Sequence, residues 1–325
     1  MTLELRKLLA ALLFAGLPAA ALAQSASSYP SRPVRLIVPL APGGAVDALA
    51  RMIGAYMESR FKQPFLVENR PGALTQIGTE AVVKAAPDGQ TLLVTSTPVA
   101  SEQVLTKAWP FRVERDLTMI SMFAGGGNAM ITASSVPVSN LREFAAYAKA
   151  NPGKLNLANG GGTAVGTLLL LNRLGIPPLF EVMYKGGPAS VQSVVTGDTH
   201  LFGAAVQDVV ELAKAGKVRI LAYTERERHP LLPSVPTVRE SGVGLNDWDT
   251  NFWFALLGPA GLPPDITDKL NAAMLDMLKT PEATGRLAGF GLRPYLSDAA
   301  DSRGRIRAYI RDLDGAVAAG IVAPK

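Results

Sequence analysis

The 325-residue chain contains no cysteine and only two histidines, His200 and His229. The first absence excludes disulfides, thiol nucleophiles and cysteine metal sites, while leaving an oxidising compartment tolerable. Two histidines far apart in sequence do not make a histidine-rich metal site, and each is expected at the surface or at a strand edge. Runs of like charge are also missing. The 32 Lys and Arg residues against 27 Asp and Glu give a formal charge of +5, and they are scattered, so the basic footprint of a nucleic-acid binder is absent. A mild positive balance offers only weak long-range attraction for anions. Nucleotide and hydrolase signatures fail as well: "NGGGTAV" has Val165 at the third glycine position of GxGxxG, and neither GxxxxGK[ST] nor GxSxG occurs. No cofactor, metal or catalytic residue is expected.

The one long apolar stretch is N-terminal. Arg6 and Lys7 precede "LLAALLFAGLPAAALA", which ends in the small-x-small pattern Ala21-Leu22-Ala23. Gly16 and Pro18 break it well short of the roughly 20 apolar residues of a spanning helix. Residues 1 to 23 therefore read as a signal peptide cleaved after Ala23, and the mature chain as a soluble exported protein. Removing Glu4, Arg6 and Lys7 takes away one net positive charge and leaves +4. The longest later apolar run, "WFALLG", is of strand length.

About 300 mature residues exceed what one core usually takes, so two lobes are expected, and the lack of low-complexity tracts implies that ordered strands join them. "VRLIV" reads as a buried strand. Behind it, Leu49, Met52, Ile53, Tyr56 and Met57 follow the spacing of one buried helix face. "FLVENR", "IGTEAVVKAA" and "TLLVTST" continue as strand, helix and strand, a βαβαβ unit of a parallel sheet. A second α/β run follows, from the helix "LREFAAYAKANPG", with Ser139 as N-cap, through "KLNLAN", "FEVMYK", "LFGAA" and "VRILAYT". "NFWFALLGP" is a strong strand, and the helices after it, broken at Thr280-Pro281, are expected to return to the first lobe. The chain then crosses between lobes twice. The fold class is α/β, two lobes of mixed, mostly parallel sheets flanked by helices. Lobe one is assigned to 29–122 plus 257–325 and lobe two to 123–256.

Two glycine loops occupy equivalent places, each between a strand and a helix: Ala41-Pro42-Gly43-Gly44-Ala45 in the first lobe and Gly160-Gly161-Gly162-Thr163-Ala164 in the second. Ligands bind beyond the carboxyl ends of strands in open sheets, and a helix N-terminus there presents free N–H groups. Glycine lets the backbone approach an anion, and a side chain at Gly44 is expected to block that approach and force an awkward dihedral. Asp47 would repel an anion at direct contact; it either caps the helix or holds water that touches the ligand.

The motifs "YPSRPVRLIVPLAPGGAVDALAR", "VENRPGA", "AAPDGQTLLV", "NPGKLN", "YKG" and "KAGKVRILAYT...LPSVPTVRESG" together resemble the substrate-binding proteins of tripartite tricarboxylate transporters, the Bug family, from about Tyr29 to the C-terminus. The resemblance implies a monomeric periplasmic receptor, not an enzyme, with the two-lobe periplasmic binding protein fold joined by crossing hinge strands, that closes around a small carboxylate and hands it to integral-membrane permease subunits. A sensor role beside a membrane histidine kinase is the alternative. It implies as ligand-binding candidates Ala41, Pro42, Gly43, Gly44, Ala45 and Asp47, with Thr97 after the third strand, and Gly161, Thr163, Ala164 and Ala204 in the second lobe. It also favours the water-holding role of Asp47.

Several positions depart from the family pattern. Ala45-Val46 replace the usual hydroxyl residues, "GALTQIG" replaces "GAGGNIG", and both acids of "GGxxDxxxD" are missing from Thr196 to Ala204. A less acidic second-lobe pocket is therefore expected, and with Ala204 in place of Asp, an acid with an apolar or aromatic body is favoured over an amino acid. Gln207 and Asp208 are residues that could rebuild the pocket. Trp253 is expected to pack in the hinge or core, and Lys185 to face solvent.

Overall fold

A computed structural model describes residues 29–159, 164–184, 186–249 and 252–324. The signal peptide and its cleavage site, Gly161, Thr163 and Lys185 lie outside the described residues. Strand β1 (Val34–Val38) is buried at every position except Arg35, because it runs inside a sheet between two parallel neighbours, β2 (Phe65–Asn69) and β3 (Thr91–Ser96). Helices α1 (Ala45–Phe61) and α2 (Gln76–Val83) make the two connections, as the βαβαβ pattern predicts.

The remaining strands of this sheet come from further along the chain. After α3 (Pro98–Leu105) and the short α4 (Val113–Asp116), β4 (Leu117–Gly126) runs to the second sheet. That sheet is built from β5 (Ala129–Ala133), β6 (Asn156–Asn159), β7 (Phe180–Met183), β8 (Leu201–Ala204) and β9 (Val218–Tyr223), in the order β7-β6-β8-β5-β9. The β6 strand is parallel to β7 and β8, whereas β5 is antiparallel to β8 and β9. Around it lie α5 (Leu141–Ala150), α6 (Ala164–Arg173), α7 (Gly187–Thr196) and α8 (Val206–Lys214). The N-cap of α5 is Asn140 rather than Ser139. Its side chain accepts the Glu143 N–H at 2.9 Å, while the Glu143 carboxylate accepts the Ser139 N–H at 2.7 Å, a reciprocal pairing that places the cap one residue later.

The chain returns as β10 (Phe252–Pro259), which inserts between β3 and β4 and is antiparallel to both, so that "WFALLGP" is buried along its whole length. The C-terminal part adds α9 (Pro264–Leu278), α10 (Pro281–Gly289), the two-residue β11 (Arg293–Pro294) and α11 (Ala299–Ala318). The first sheet then reads β11-β4-β10-β3-β1-β2.

One core joins α1 and α9 on one face of the first sheet through Leu36, Leu49, Ile53, Leu256 and Leu270. The other is continuous from the opposite face, at Ile37, Leu93 and Leu257, into the second sheet at Ile131 and Phe202. Helix α11 is the reason: it packs on β4 and α3 and also on α6. Arg173 of α6 bonds Asp312 of α11 at 3.0 Å. The C-terminal helices α9 and α11 pack on the first sheet, and α11 additionally bridges to the second.

Where the chain crosses, Gly127 and Asn128 separate β4 from β5, and the return segment starts at Thr224. The two crossings are hydrogen-bonded to each other: Asn128 N–H donates to Thr224 Oγ1 at 2.8 Å, and Thr224 N–H to the Asn128 carbonyl at 3.1 Å. Beside them the Tyr295 hydroxyl donates to Glu225 at 2.7 Å. A β-carbon at Gly125 would collide with the Tyr295 hydroxyl and ring. Gly125→Ala is therefore expected to destabilise the protein by about 2 kcal/mol or more, through overpacking. Gly304→Ala, in the interior of α11 where a β-carbon meets nothing within 4 Å, should stabilise it by roughly 0.5–1 kcal/mol. Urea midpoints of the two variants against the parent check both signs.

Candidate functional site

Because β1 and β3 are parallel, with Leu36 opposite Leu92, their carboxyl ends open at the same edge of the first sheet. Two segments leave there: the loop from Pro39 to Gly44 that enters α1, and Thr97, which enters α3. Ala41, Pro42, Gly43 and Gly44 are exposed. The left-handed conformation belongs to Gly43, at φ 90°, whereas Gly44 is extended at φ −83° and ψ 174°. The expectation of an awkward dihedral at Gly44 is thus corrected: it applies one residue earlier, and a β-carbon at Gly44 meets nothing within 4 Å.

Asp47 lies in the first turn of α1 and is buried. Its Oδ2 accepts the Gly43 N–H at 3.0 Å, and Arg51 donates to both oxygens at 3.2 and 3.0 Å. The Gly43 N–H holds its carboxyl below the usual carboxylate range, with Arg51 adding to the effect. The side chain therefore ties the loop back onto the helix. Asn69 secures the other side by donating to the Leu40 carbonyl at 3.1 Å.

Between the two sheets lies a cleft of about 910 Å³. From the first sheet it takes Ser96, Thr97, Ser101, Glu102 and Leu105; from the crossings, Gly126, Gly127, Asn128, Tyr223 and Thr224; from the second sheet, Asn159, Glu181, Met183 and the starts of α6 and α8. Phe252, Phe290, Trp248, Tyr309 and Leu292 supply apolar surface, and His229 lines it as well. Of the candidates read from the sequence, the cleft lining contains Thr97 and Gln207, the latter named as a residue that could rebuild the pocket. The first loop sits at the same sheet edge but outside the lining, Ala164 opens α6, and Ala204 is a core residue opposite Ala129, with Ala205 reaching the wall in its place.

Thr97 is held by the return strand. The Trp253 N–H donates to Thr97 Oγ1 at 2.9 Å, and Thr97 N–H donates to the Trp253 carbonyl at 3.1 Å. The Trp253 ring is buried edge-on against Tyr309, with centroids 6.4 Å apart, in agreement with the packing role expected for it.

Two carboxylates on the cleft wall escaped the sequence reading. Glu102 is 6% exposed and accepts the Thr106 hydroxyl at 2.6 Å; Glu181 accepts Asn159 Nδ2 at 2.6 Å. Glu181 places an acid on the second-sheet wall, where the missing "GGxxDxxxD" acids suggested less acidity. A signal for Glu102 existed, a lone charge inside the otherwise uncharged octet "PVASEQVL" directly after Thr97. Glu181, Asn128 and His229 carry none, since a strand edge, a crossing and a loop have no local pattern. Among the described residues no Lys or Arg lines the cleft, and no cluster of three His, Cys, Asp or Glu residues could hold a metal. Nor is any helix among them long and apolar enough to cross a membrane.

The comparisons with known proteins agree with this architecture. Protein BugT of Bordetella pertussis is 33% identical over 301 residues, covering 90% of each chain. Among solved structures, MatC (Rpa3494) from Rhodopseudomonas palustris with bound malate is 29% identical with a TM-score of 0.61, covering 89% of this chain and all of the other. R. palustris Rpa4515 with adipate is 27% identical with a TM-score of 0.65, covering 91% of this chain and all of the other. The model of the TctC family, described as tripartite tricarboxylate transporter family receptor, matches residues 49–312. The chain therefore belongs to this family of solute-binding receptors, which are not enzymes.

Proposed function

We propose that this protein is a periplasmic receptor that captures a small carboxylate between its two lobes and delivers it to the permease of a tripartite tricarboxylate transporter. The observation that carries the reading is the cleft itself: it lies between the two sheets, its floor is the pair of hydrogen-bonded crossings, and strand-end segments open at one edge of it. Such a floor is a hinge, and ligand contacts made in both walls favour the closed arrangement. The receptor works as a monomer, leaves the cytoplasm on the signal peptide of residues 1 to 23 and is cleaved after Ala23.

Relatives that hold malate and adipate support an acid as the ligand. Tyr223, Trp248, Phe252, Phe290 and Tyr309 on the cleft wall support an acid with an apolar or aromatic body, a better ground for that preference than the buried Ala204. In this scheme one carboxylate approaches the backbone of the first loop when the lobes close, and Gly161 and Thr163 complete the opposite side.

A thermal-shift screen with benzoate, adipate, malate, citrate and aspartate should show stabilisation by one or more of the first three and little by aspartate. Small-angle scattering with the stabilising acid should show a smaller radius of gyration. No response to any acid overturns the receptor reading, and an unchanged radius at saturation overturns closure.

The loop is tested separately. Because Gly44 is extended and unobstructed, Gly44→Val should keep the melting temperature within a few degrees yet lower affinity at least about tenfold by screening the backbone from the carboxylate. Affinity retained within a few fold would make the loop a turn only.

Asp47 has a pH signature of its own. A carboxyl held below its unfolded value, near 3.9, contributes stability that is full above that pH and is lost as pH falls through the lower folded value. Asp47→Asn should therefore cost stability at neutral pH and remove part of the acid-induced loss that the parent shows below about pH 4. Parallel urea titrations at the two pH values measure the difference.

A further inference from the structure

His229 belongs to the return crossing and lines the cleft half-buried. Its Nδ1 accepts the Leu231 backbone N–H at 3.1 Å, which fixes the proton of the neutral ring on Nε2. The ring stands edge-on to Tyr223, with centroids 5.4 Å apart and planes at 80°. No described residue takes a hydrogen bond from Nε2. Gln207, in the first turn of α8, is exposed on the same cleft. Its amide lies against Gly291, where a β-carbon would stand 3.2 Å from both the amide nitrogen and the amide oxygen. Its amide likewise bonds to no described side chain or backbone group.

Gln207 thus meets the loop at Gly291, and His229, on the wall of the same cleft, feels the charge of Arg293 two residues further on. We propose that the His229 Nε2–H and the Gln207 amide form a donor pair that receives an acceptor oxygen of the bound acid, with His229 making the affinity pH-dependent. This inference rests on the receptor reading above. Neither residue belongs to a glycine loop, so the pair would act on a part of the ligand that the loops do not hold.

The charged groups around His229 are already engaged. Arg228 is paired with Glu240 at 2.9 Å, Arg293 bonds the carboxylate of Glu227, and Glu225 accepts the Tyr295 hydroxyl. Burial, helped by the nearby Arg293 charge, holds the free imidazole below its ordinary titration range; burial likewise pushes the Tyr223 phenol up. An anionic oxygen against Nε2 opposes the first effect and favours the imidazolium; the added proton goes to Nδ1, which then gives up the Leu231 N–H and turns it to solvent. Binding of an anion would then take up a proton, and affinity would rise as pH falls through the titration of His229. Glu225, whose carboxyl is pushed up by burial, also titrates nearby, and variants at position 229 separate the two.

The test is calorimetric titration with adipate, malate and benzoate between about pH 7.5 and pH 5.5, the span of an accessible histidine. For whichever of these acids binds, the parent should gain affinity toward the lower pH. His229→Phe keeps the ring against Tyr223 and removes the donor; it should weaken binding about tenfold and flatten the profile. His229→Gln restores a neutral donor and should recover most of the affinity at pH 7.5 while leaving the profile flat. Gln207→Met should weaken binding with the slope kept. Parent-like affinity and slope in His229→Phe overturn the proposal and leave the receptor reading standing. Should that variant fail to fold, a parent-like slope in His229→Gln overturns it equally. A parent protein that binds none of the three acids overturns the proposal, and one that also fails to respond to citrate and aspartate overturns the receptor reading with it.

Discussion

The mutual hydrogen bonding of Asn128 and Thr224 is the constraint on which the rest of the molecule depends. The chain leaves the first sheet at Gly126 and comes back at Phe252, and these few atoms fix how the outgoing and returning segments lie against each other. The surroundings reinforce the same register with directional contacts. Trp248 Nε1 donates to the Thr224 carbonyl at 2.9 Å, and Tyr295 donates to Glu225. Arg305 lies 4.1 Å over the Tyr295 ring while forming two bonds to Asp249 at 2.7 and 2.9 Å. An isolated carboxylate such as Glu225 would be costly so far from water; with a phenol donor it instead specifies one geometry. The absence of a side chain at Gly125 is part of that design, because the Tyr295 hydroxyl fills the space.

The hinge also has to be reconciled with α11, which reaches past the crossings to α6. The link has two halves. Asp247 is 64% exposed, and its pairing with Arg173 contributes about 0–1 kcal/mol. Asp312 is 14% exposed and is the firmer partner. Asp247 lies in the return segment and not on α11, so it is the Arg173–Asp312 pair that ties α6 to α11, and movement of the sheets must carry that pair along or break it. The shared apolar core under α11 restrains the motion further, so any closure is a small rotation about well-packed elements rather than the swing of two bodies on a tether.

How much of this was legible in the sequence depends on how local each feature is. The unit from β1 to β3 and the break at Thr280 were readable, since apolar period and turn residues act over a few positions. The insertion of β10 between β3 and β4, and the span of Leu117 to Ala133 that no motif marks, were not. Strand order is decided by partners more than 100 residues apart, as in the pairing of Phe254 with Ser96. The N-cap fell at Asn140 instead of Ser139 because the reciprocal bond to Glu143 decides it. In the first loop the glycine pair was visible, but which member holds the positive φ was not: the Asp47 tie to the Gly43 N–H is a detail of geometry.

The same distinction explains why motif residues and cleft residues overlap so little. Motifs are short and record backbone needs, such as a turn after a strand. A cleft wall is assembled from single positions on many elements: Glu102 on a helix, Glu181 on an edge strand, Asn128 in a crossing, His229 in a loop. Its chemistry has a common trait all the same, because the lining among the described residues uses hydroxyls, amides, carboxylates and one imidazole, His229, and no Lys or Arg. Neutral donors ask for a smaller desolvation cost than a buried cation and bind through direction more than through charge. A wall of that kind can hold a solute firmly while leaving the release of it within reach of a modest change in geometry.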